Sequence, residues 1–326
     1  MRTSEQGTAL LAVLWLTATL SAIALTVANT VRSETERTST SVDGLKAGYL
    51  ARGAIDRALL YIQWGPVYRN PDGSPKYFQN PMPLMRFEFP GGPAQVEIIP
   101  ETAKFNVNTT TPAELTNLLQ ALGADAGLAQ TIVGAIVDWR SATPGGSFTE
   151  FDQHYLSLTP SFRARHASFQ EIEELLLVRG MTPDLFYGSY TRDAEGRLIP
   201  HSGLRDCLSV YGSKGSLDVN TVEPVVMQAI GISPDVARAI VNLRNSAPIR
   251  DPQQLGSLLS GSPAAGRLGI VPSSIATLRA TARLRLANGA LSDVRRSVAA
   301  MVKFLGPEWD TPFHIMRWYE SATSPQ

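Results

Sequence analysis

The side chains able to do covalent or metal chemistry are few and scattered. A single cysteine, Cys207, can form neither an internal disulfide nor a thiolate-rich metal site. The four histidines, His154, His166, His201 and His314, show no i,i+4 spacing and no H-E-x-x-H pattern, so a histidine metal centre is not expected. Neither a G-x-S-x-G elbow nor a G-x-x-x-x-G-K-[ST] loop occurs. Gly212-Ser-Lys-Gly-Ser216 has phosphate-friendly residue types without that spacing and reads as a β-turn. Cys207 lacks an identifiable histidine partner and reads as a small core residue. No catalytic residue is expected, and the chain does not read as an enzyme. Twenty-nine basic residues balance 29 acidic ones, which leaves no global field for nucleic acid or an anionic surface.

The elements that carry these residues begin with an apolar run. Thr8–Val31 spans 24 residues without a charge. As a helix it reaches about 36 Å, enough to cross a bilayer core of about 30 Å. Arg2 precedes it, and Arg32, Glu34, Glu36 and Arg37 close it. A buried core helix would show a polar face, and a signal peptide would have a shorter apolar segment ending at a small-residue cleavage site, such as that offered by residues 24–29. Beyond it, Leu45, Leu50, Ala54, Ile55, Ala58, Leu59 and Ile62 recur at helical steps, with Lys46, Arg52, Asp56 and Arg57 opposite. Gly44 marks a place to bend, and Gly65-Pro66 ends the pattern. From Thr8 to Tyr61 the rod would reach about 80 Å.

Alternating segments follow at Arg86–Phe89 and Gln95–Ile98, around Pro90-Gly-Gly-Pro93, and read as a hairpin. Alternation returns at 278–286, 297–304 and 314–319, and the expectation is one antiparallel sheet against the long helix. The region between is helical in pattern and contains a repeat. Lys104-Phe-Asn-Val-Asn-Thr109 parallels Ser216-Leu-Asp-Val-Asn-Thr221. Each precedes a helix-like segment, a glycine step (Gly123, Gly231) and a second helix, 128–140 or 236–244. The Asn/Asp-Val-Asn-Thr units are expected to cap helices. The whole reads as two helix-hairpin-helix-like units. DNA-binding versions carry two hairpin glycines and flanking bases, whereas these hairpins read Gly123-Ala-Asp125 and Gly231-Ile-Ser233. Nucleic acid is therefore not an expected partner; the alternative is a membrane-tethered periplasmic DNA-binding protein that uses these units.

The polar leader Met1–Gly7, with glycine directly before the apolar run, resembles the class III signal of type IV pilins and pseudopilins. That resemblance implies prepilin peptidase cleavage between Gly7 and Thr8, N-methylation of Thr8, and retention of the span. Mature position five, usually glutamate, is Ala12 here. Over nearly the whole chain the pieces resemble the general secretion pathway protein K family of type II secretion minor pseudopilins. They are residues 105–109, Val137-Asp-Trp-Arg140, Tyr155–Arg163, Glu173–Pro183, 217–221 and Arg317-Trp-Tyr-Glu320.

The resemblance implies an α+β fold: a pilin-like long N-terminal helix plus antiparallel sheet, with a large inserted all-helical domain. The expected limits are 1–7 leader, 8–31 transmembrane helix, 32–100 helix and first strands, 101–272 inserted domain, and 273–326 returning strands. It further implies a bacterial inner-membrane protein whose soluble part is periplasmic. Its partners would be other minor pseudopilins, prepilin peptidase and the inner-membrane assembly platform, and its place the tip of the pseudopilus. No cofactor is required, though relatives bind calcium in the helical domain. For calcium this chain offers Asp138, Glu150 and Asp152, a thin set against the six to eight oxygens calcium takes.

Overall fold

The computed structural model describes residues 5–262, 264–306 and 308–320, with side chains described from residue 9 onward. The Met1–Gly7 leader therefore lies mostly outside the described residues, while Gly7 and Thr8 are seen as helical backbone only.

Helix α1 (Glu5–Trp64) is one unbroken element of 60 residues, about 90 Å long. Its apolar part is rich in Leu and Ala and free of proline. Thr17, Thr19, Thr26 and Thr30 each hand a hydroxyl to a backbone carbonyl three or four residues earlier, at 2.7–3.0 Å. These four hydroxyls are thus satisfied by the helix itself. The helix runs through Gly44 without interruption. Gly44 instead gives room to Arg296: a β-carbon there would stand 2.8 Å from the guanidinium.

The C-terminal third of α1 packs on a five-stranded sheet. Strands β1 (Leu84–Phe89), β2 (Gly92–Pro100), β3 (Ile275–Arg285), β4 (Leu291–Phe304) and β5 (Phe313–Tyr319) lie side by side in chain order, every pair antiparallel. Ala51, Ala54, Ile55, Ala58 and Leu59 form the helix stripe, set against Val96, Leu278, Ala280, Val298, Ala300 and Val302. Alanines at three of the five stripe positions let the helix lie close to the sheet. The charged partners of the alternation face the other way, with Glu97 directly opposite Arg279.

Pro100, at the end of β2, is paired with Ala276 near the start of β3. Residues 101–274 therefore leave and re-enter the sheet at neighbouring positions, as an outsized hairpin connection with its own core. In that block α2 (Pro112–Ala121) and α3 (Ala126–Arg140) form the first paired unit, and α4 (Glu150–Leu156) follows. The second unit is α5 (Pro224–Ala229) with α6 (Pro234–Ser246). The block also holds three short two-stranded pieces, so it is helical in its core without being purely helical. Two of these are parallel: Phe105–Asn106 with Leu208–Ser209, and Leu217–Asp218 with Leu268–Gly269.

The repeated Asn-Val-Asn and Asp-Val-Asn units do not cap the helices, contrary to expectation. The α2 cap is Thr111, whose hydroxyl accepts from the Glu114 amide at 3.2 Å, and Glu223 before α5 makes no side-chain cap. Their role is to clamp. Asn108 exchanges two hydrogen bonds with the Phe169 backbone at 3.0 and 2.7 Å, and Asn220 does the same with Ile249 at 3.0 and 2.7 Å. The arginine closing each second helix joins in. Arg140 donates to the carbonyls of Val107 and Thr110, and Arg244 to those of Val219 and Val222.

Asn220 is 4% exposed and Ile249 1% exposed. Asn220→Ala strands both backbone groups of Ile249, each costing about 1–3 kcal/mol, so a loss of about 2–6 kcal/mol is expected in urea unfolding. A loss below about 1 kcal/mol would mean that water takes over the clamp.

Candidate functional site

Three places bear on function: the N-terminal helix, the hairpins and the acidic set. From Leu10 to Val31 the large apolar side chains of α1 are more than half exposed, Trp15 at 74%. The most apolar stretch has mean hydropathy 2.2 and is wholly uncovered by the rest of the protein, so α1 is long and apolar enough to cross a membrane. Ala12 is exposed on this segment.

In the hairpins, Gly123 (φ 94°) and Gly231 (φ 92°) take the left-handed turn that a β-carbon disfavours. The hairpin amides are already used. Gly123 N–H and Ala124 N–H donate to Gln120 and Leu119, and Gly231 N–H and Ile232 N–H donate to Gln228 and Met227. The next residues, Asp125 and Ser233, cap the second helices. Arg140 and Arg244, in the last turns of the second helices, hold backbone carbonyls, and burial lowers the pKa of both. In both hairpins the glycine amide and the one after it are thus taken up internally.

The acidic set does not converge. Glu150 is 83% exposed on its side chain and reaches Arg179 at 3.5 Å. Asp138 accepts from the Thr149 hydroxyl at 3.2 Å, and burial raises its pKa despite that bond. Asp152 is fully buried and saturated. One oxygen takes the Ala164 amide at 3.2 Å; the other takes Arg163 Nε at 3.1 Å and His166 Nε2 at 2.9 Å. Among the described residues no three acids, histidines or cysteines gather as a metal would need. Asp152 thus faces Arg163 and His166, and Glu150 turns to Arg179. Sequence reading missed Arg163 and His166. They follow Asp152 by 11 and 14 residues through an irregular loop, which no helical or strand period reports.

The motif pieces meet around this loop. Trp139 stacks on Phe169 with centroids 5.9 Å apart and sets its edge against Tyr155 at 5.8 Å, while Tyr155 stacks on Phe162 at 5.0 Å. The Trp139 indole N–H donates to Glu174 at 3.2 Å. Cys207 is fully buried, and burial, then the charges of Glu223 and Asp206, push its thiol pKa well up, so it is core rather than nucleophile.

A long helix laid on an antiparallel sheet, with its apolar half projecting bare, defines a pilin-like scaffold, here interrupted by a helical block. Residues 100–187, which include the aromatic cluster, match the family described as Type II secretion system (T2SS), protein K. The chain is 29% identical over 204 residues to Type II secretion system protein K of Pectobacterium carotovorum subsp. carotovorum, covering 57% of this chain and 61% of that relative. It is 27% identical over 166 residues to the Pseudomonas aeruginosa protein of the same name, covering 47% and 45%. The matches thus span less than two thirds of either relative's length. One chain of the crystal structure of the GspK-GspI-GspJ complex from the enterotoxigenic Escherichia coli Type 2 Secretion System superposes with a TM-score of 0.53 at 17% identity, covering 88% of this chain and all of that one. The expected fold and the resemblance to protein K are both borne out.

The Asp152–His166 pair gives the block a pH dependence. Burial alone would lower the His166 pKa from 6.5, but the hydrogen bond and charge of Asp152 outweigh it and the net shift is upward. A raised pKa means the contribution is complete below about 6.5 and is lost as pH climbs through the folded-state value. The stability difference between the native chain and His166→Gln should be on the order of 1–2 kcal/mol near pH 6 and shrink steadily toward pH 9. Urea midpoints across that range test it; a pH-independent difference would refute it.

Proposed function

We propose that this chain is a minor pseudopilin of a type II secretion system, anchored in the bacterial inner membrane by residues 8–31 and capping the periplasmic pseudopilus. One observation carries the tip assignment. Gly91 lies against Leu50, 3.8 Å from where its β-carbon would be, so the Gly92 end of β2 faces the apolar half of α1 and the Pro100 end faces away. The inserted block therefore leaves the sheet at the end farthest from the membrane. A subunit stacked above would have to share that space.

The lack of a carboxylate at position 12 agrees with this placement. In a pilin-like filament a glutamate there pairs with the terminal amine of the subunit above, and an unpaired charge within the bilayer is costly. Gly7–Thr8 is the expected prepilin peptidase site, with Thr8 methylated, and the assembly platform and other minor pseudopilins are the partners. Export of folded proteins is the process served, and no catalytic step is assigned to the chain. The internally bonded hairpin amides argue against the DNA-binding alternative.

Intact mass of the mature protein from its own host should place the N-terminus at Thr8, one methyl heavier, with the apolar helix kept. A chain starting near residue 30 would make the segment an ordinary signal peptide.

Ala12→Glu should bring no gain in assembly, and costs up to about 3 kcal/mol if the carboxylate is buried at mid-membrane, less near its edge. Light scattering on mixtures with other minor pseudopilins should find one complex of low, fixed stoichiometry. Long filaments formed by this chain alone would remove the tip assignment.

A further inference from the structure

The sheet and the inserted block each close their own core. The apolar cluster around Ile55, Val96 and Leu278 and the one around Trp139, Leu175 and Ile240 share no residue. Between the outer face of the sheet and the block lies a cavity of about 540 Å³. Walls that face a void lose contact energy, and a junction without a large apolar interface leaves its two bodies free to move.

Two links carry the chain across. The outgoing link is the single turn Glu101–Ala103, and the incoming one is the irregular stretch 270–274. They join neighbouring strands, and the Thr102 hydroxyl donates to the Val271 carbonyl at 3.2 Å, so they bend as one ribbon. Glu101 Oε1 accepts from the Thr277 hydroxyl at 2.7 Å, which fastens the ribbon to β3. A few residues at the ends of regular elements are where hinges form.

Away from the links, arginines of the sheet reach over the cavity to acids of the block. Arg279 on β3 lies 3.9 Å from Asp206, and 2.6 Å from Glu97 in its own sheet. Arg317 on β5 pairs with Glu171 and stands 2.9 Å from Glu173. Strand β5 is two places beyond β3, about 10 Å from the links, so Arg317 acts on the longer lever. It and both its partners are partly exposed, which lets salt weaken the pairs. Strand β5 is itself tied to α1, where Arg52 pairs with Glu320. Releasing Arg317 therefore frees the block and leaves the sheet on its helix.

We propose that the inserted block swings on the ribbon formed by 101–103 and 270–274, with Arg317 as its latch. Paired with Glu171 and Glu173, Arg317 holds the block over the sheet; released, it lets the cavity open into a cleft. The inference stands apart from the secretion reading, since it rests only on the two cores and their junction.

Double electron–electron resonance on the full chain in non-ionic detergent tests it. Cys207 is buried, which leaves engineered cysteines to take the spin label. Ala287→Cys, in the exposed turn between β3 and β4, is combined with Gln130→Cys on α3 or Asn242→Cys on α6, both exposed. Gln130→Cys with Asn242→Cys reports on the block alone.

Two populations are expected for the block-to-sheet distances, against one within the block. Raising NaCl from about 0.05 M to about 1 M should enrich the open population. Arg317→Ala should raise the open-to-closed ratio about fivefold. The double variant Glu171→Gln/Glu173→Gln should do the same while leaving the sheet untouched. An unchanged distance within the block shows in each case that the block is still folded. Block-to-sheet distances as narrow as that internal one, and unmoved by salt and by both variants, would overturn the proposal.

Discussion

The pairing of Pro100 with Ala276 is the constraint on which the rest depends. Adjacent strands stand about 4.8 Å apart, so the inserted block must return its chain almost to the point of departure. Several features serve that closure. The Thr102 hydroxyl donates to the Val271 carbonyl at 3.2 Å, joining the outgoing chain to the incoming one. Parallel two-residue pairs then knit the outgoing segment to Leu208–Ser209, and Leu217–Asp218 to Leu268–Gly269. The register of β3 itself is set by its ladders with β2 and β4, since a slip of one residue would turn Leu278 and Ala280 away from α1.

The block itself solves a second problem, which is how short helices with irregular connections stay ordered. Duplicated chemistry supplies the answer. Each unit spends one asparagine on a distant loop and one arginine on the turn that opens the unit, so backbone groups that no helix satisfies still find partners. Asn117, donating to the Ala229 carbonyl at 3.2 Å, joins the units to each other. The hairpin glycines and helix ends are consumed in the same way. A module that elsewhere presents amides to a ligand here turns them inward.

Local patterns were legible in the sequence. The limits of α1, the hairpin of β1 and β2, the returning strands and both paired-helix units follow from spacing and turn chemistry, because each is set within a few residues. What the sequence hid depends on residues far apart. Asn108 and Asn220 looked like caps, since their preference for turns is the same whether the acceptor is local or 61 and 29 residues away. Gly44 looked like a bend until Arg296 was seen to need its space. The pairing of Asp152 with Arg163 and His166 was not legible either, because a carboxylate's residue type is silent about which charged group will face it. The junction cavity has no sequence signature at all, being lined from both lobes.

The long helix has to meet two different surroundings. Leu10–Val31 is apolar on all sides, the face around Ala51–Leu59 is apolar on one side only, and between Val31 and Ala47 the helix is mostly polar and exposed. At 1.5 Å per residue that middle stretch is a stalk of about 24 Å. Its i,i+4 and i,i+3 pairs, Arg32–Glu36 and Glu34–Arg37, support helicity where no packing does. The sheet thus stands clear of the apolar segment, and the block leaves it at the far end. Under the proposed tip placement a further subunit would meet the block first, an asymmetry that follows from where Pro100 sits on β2.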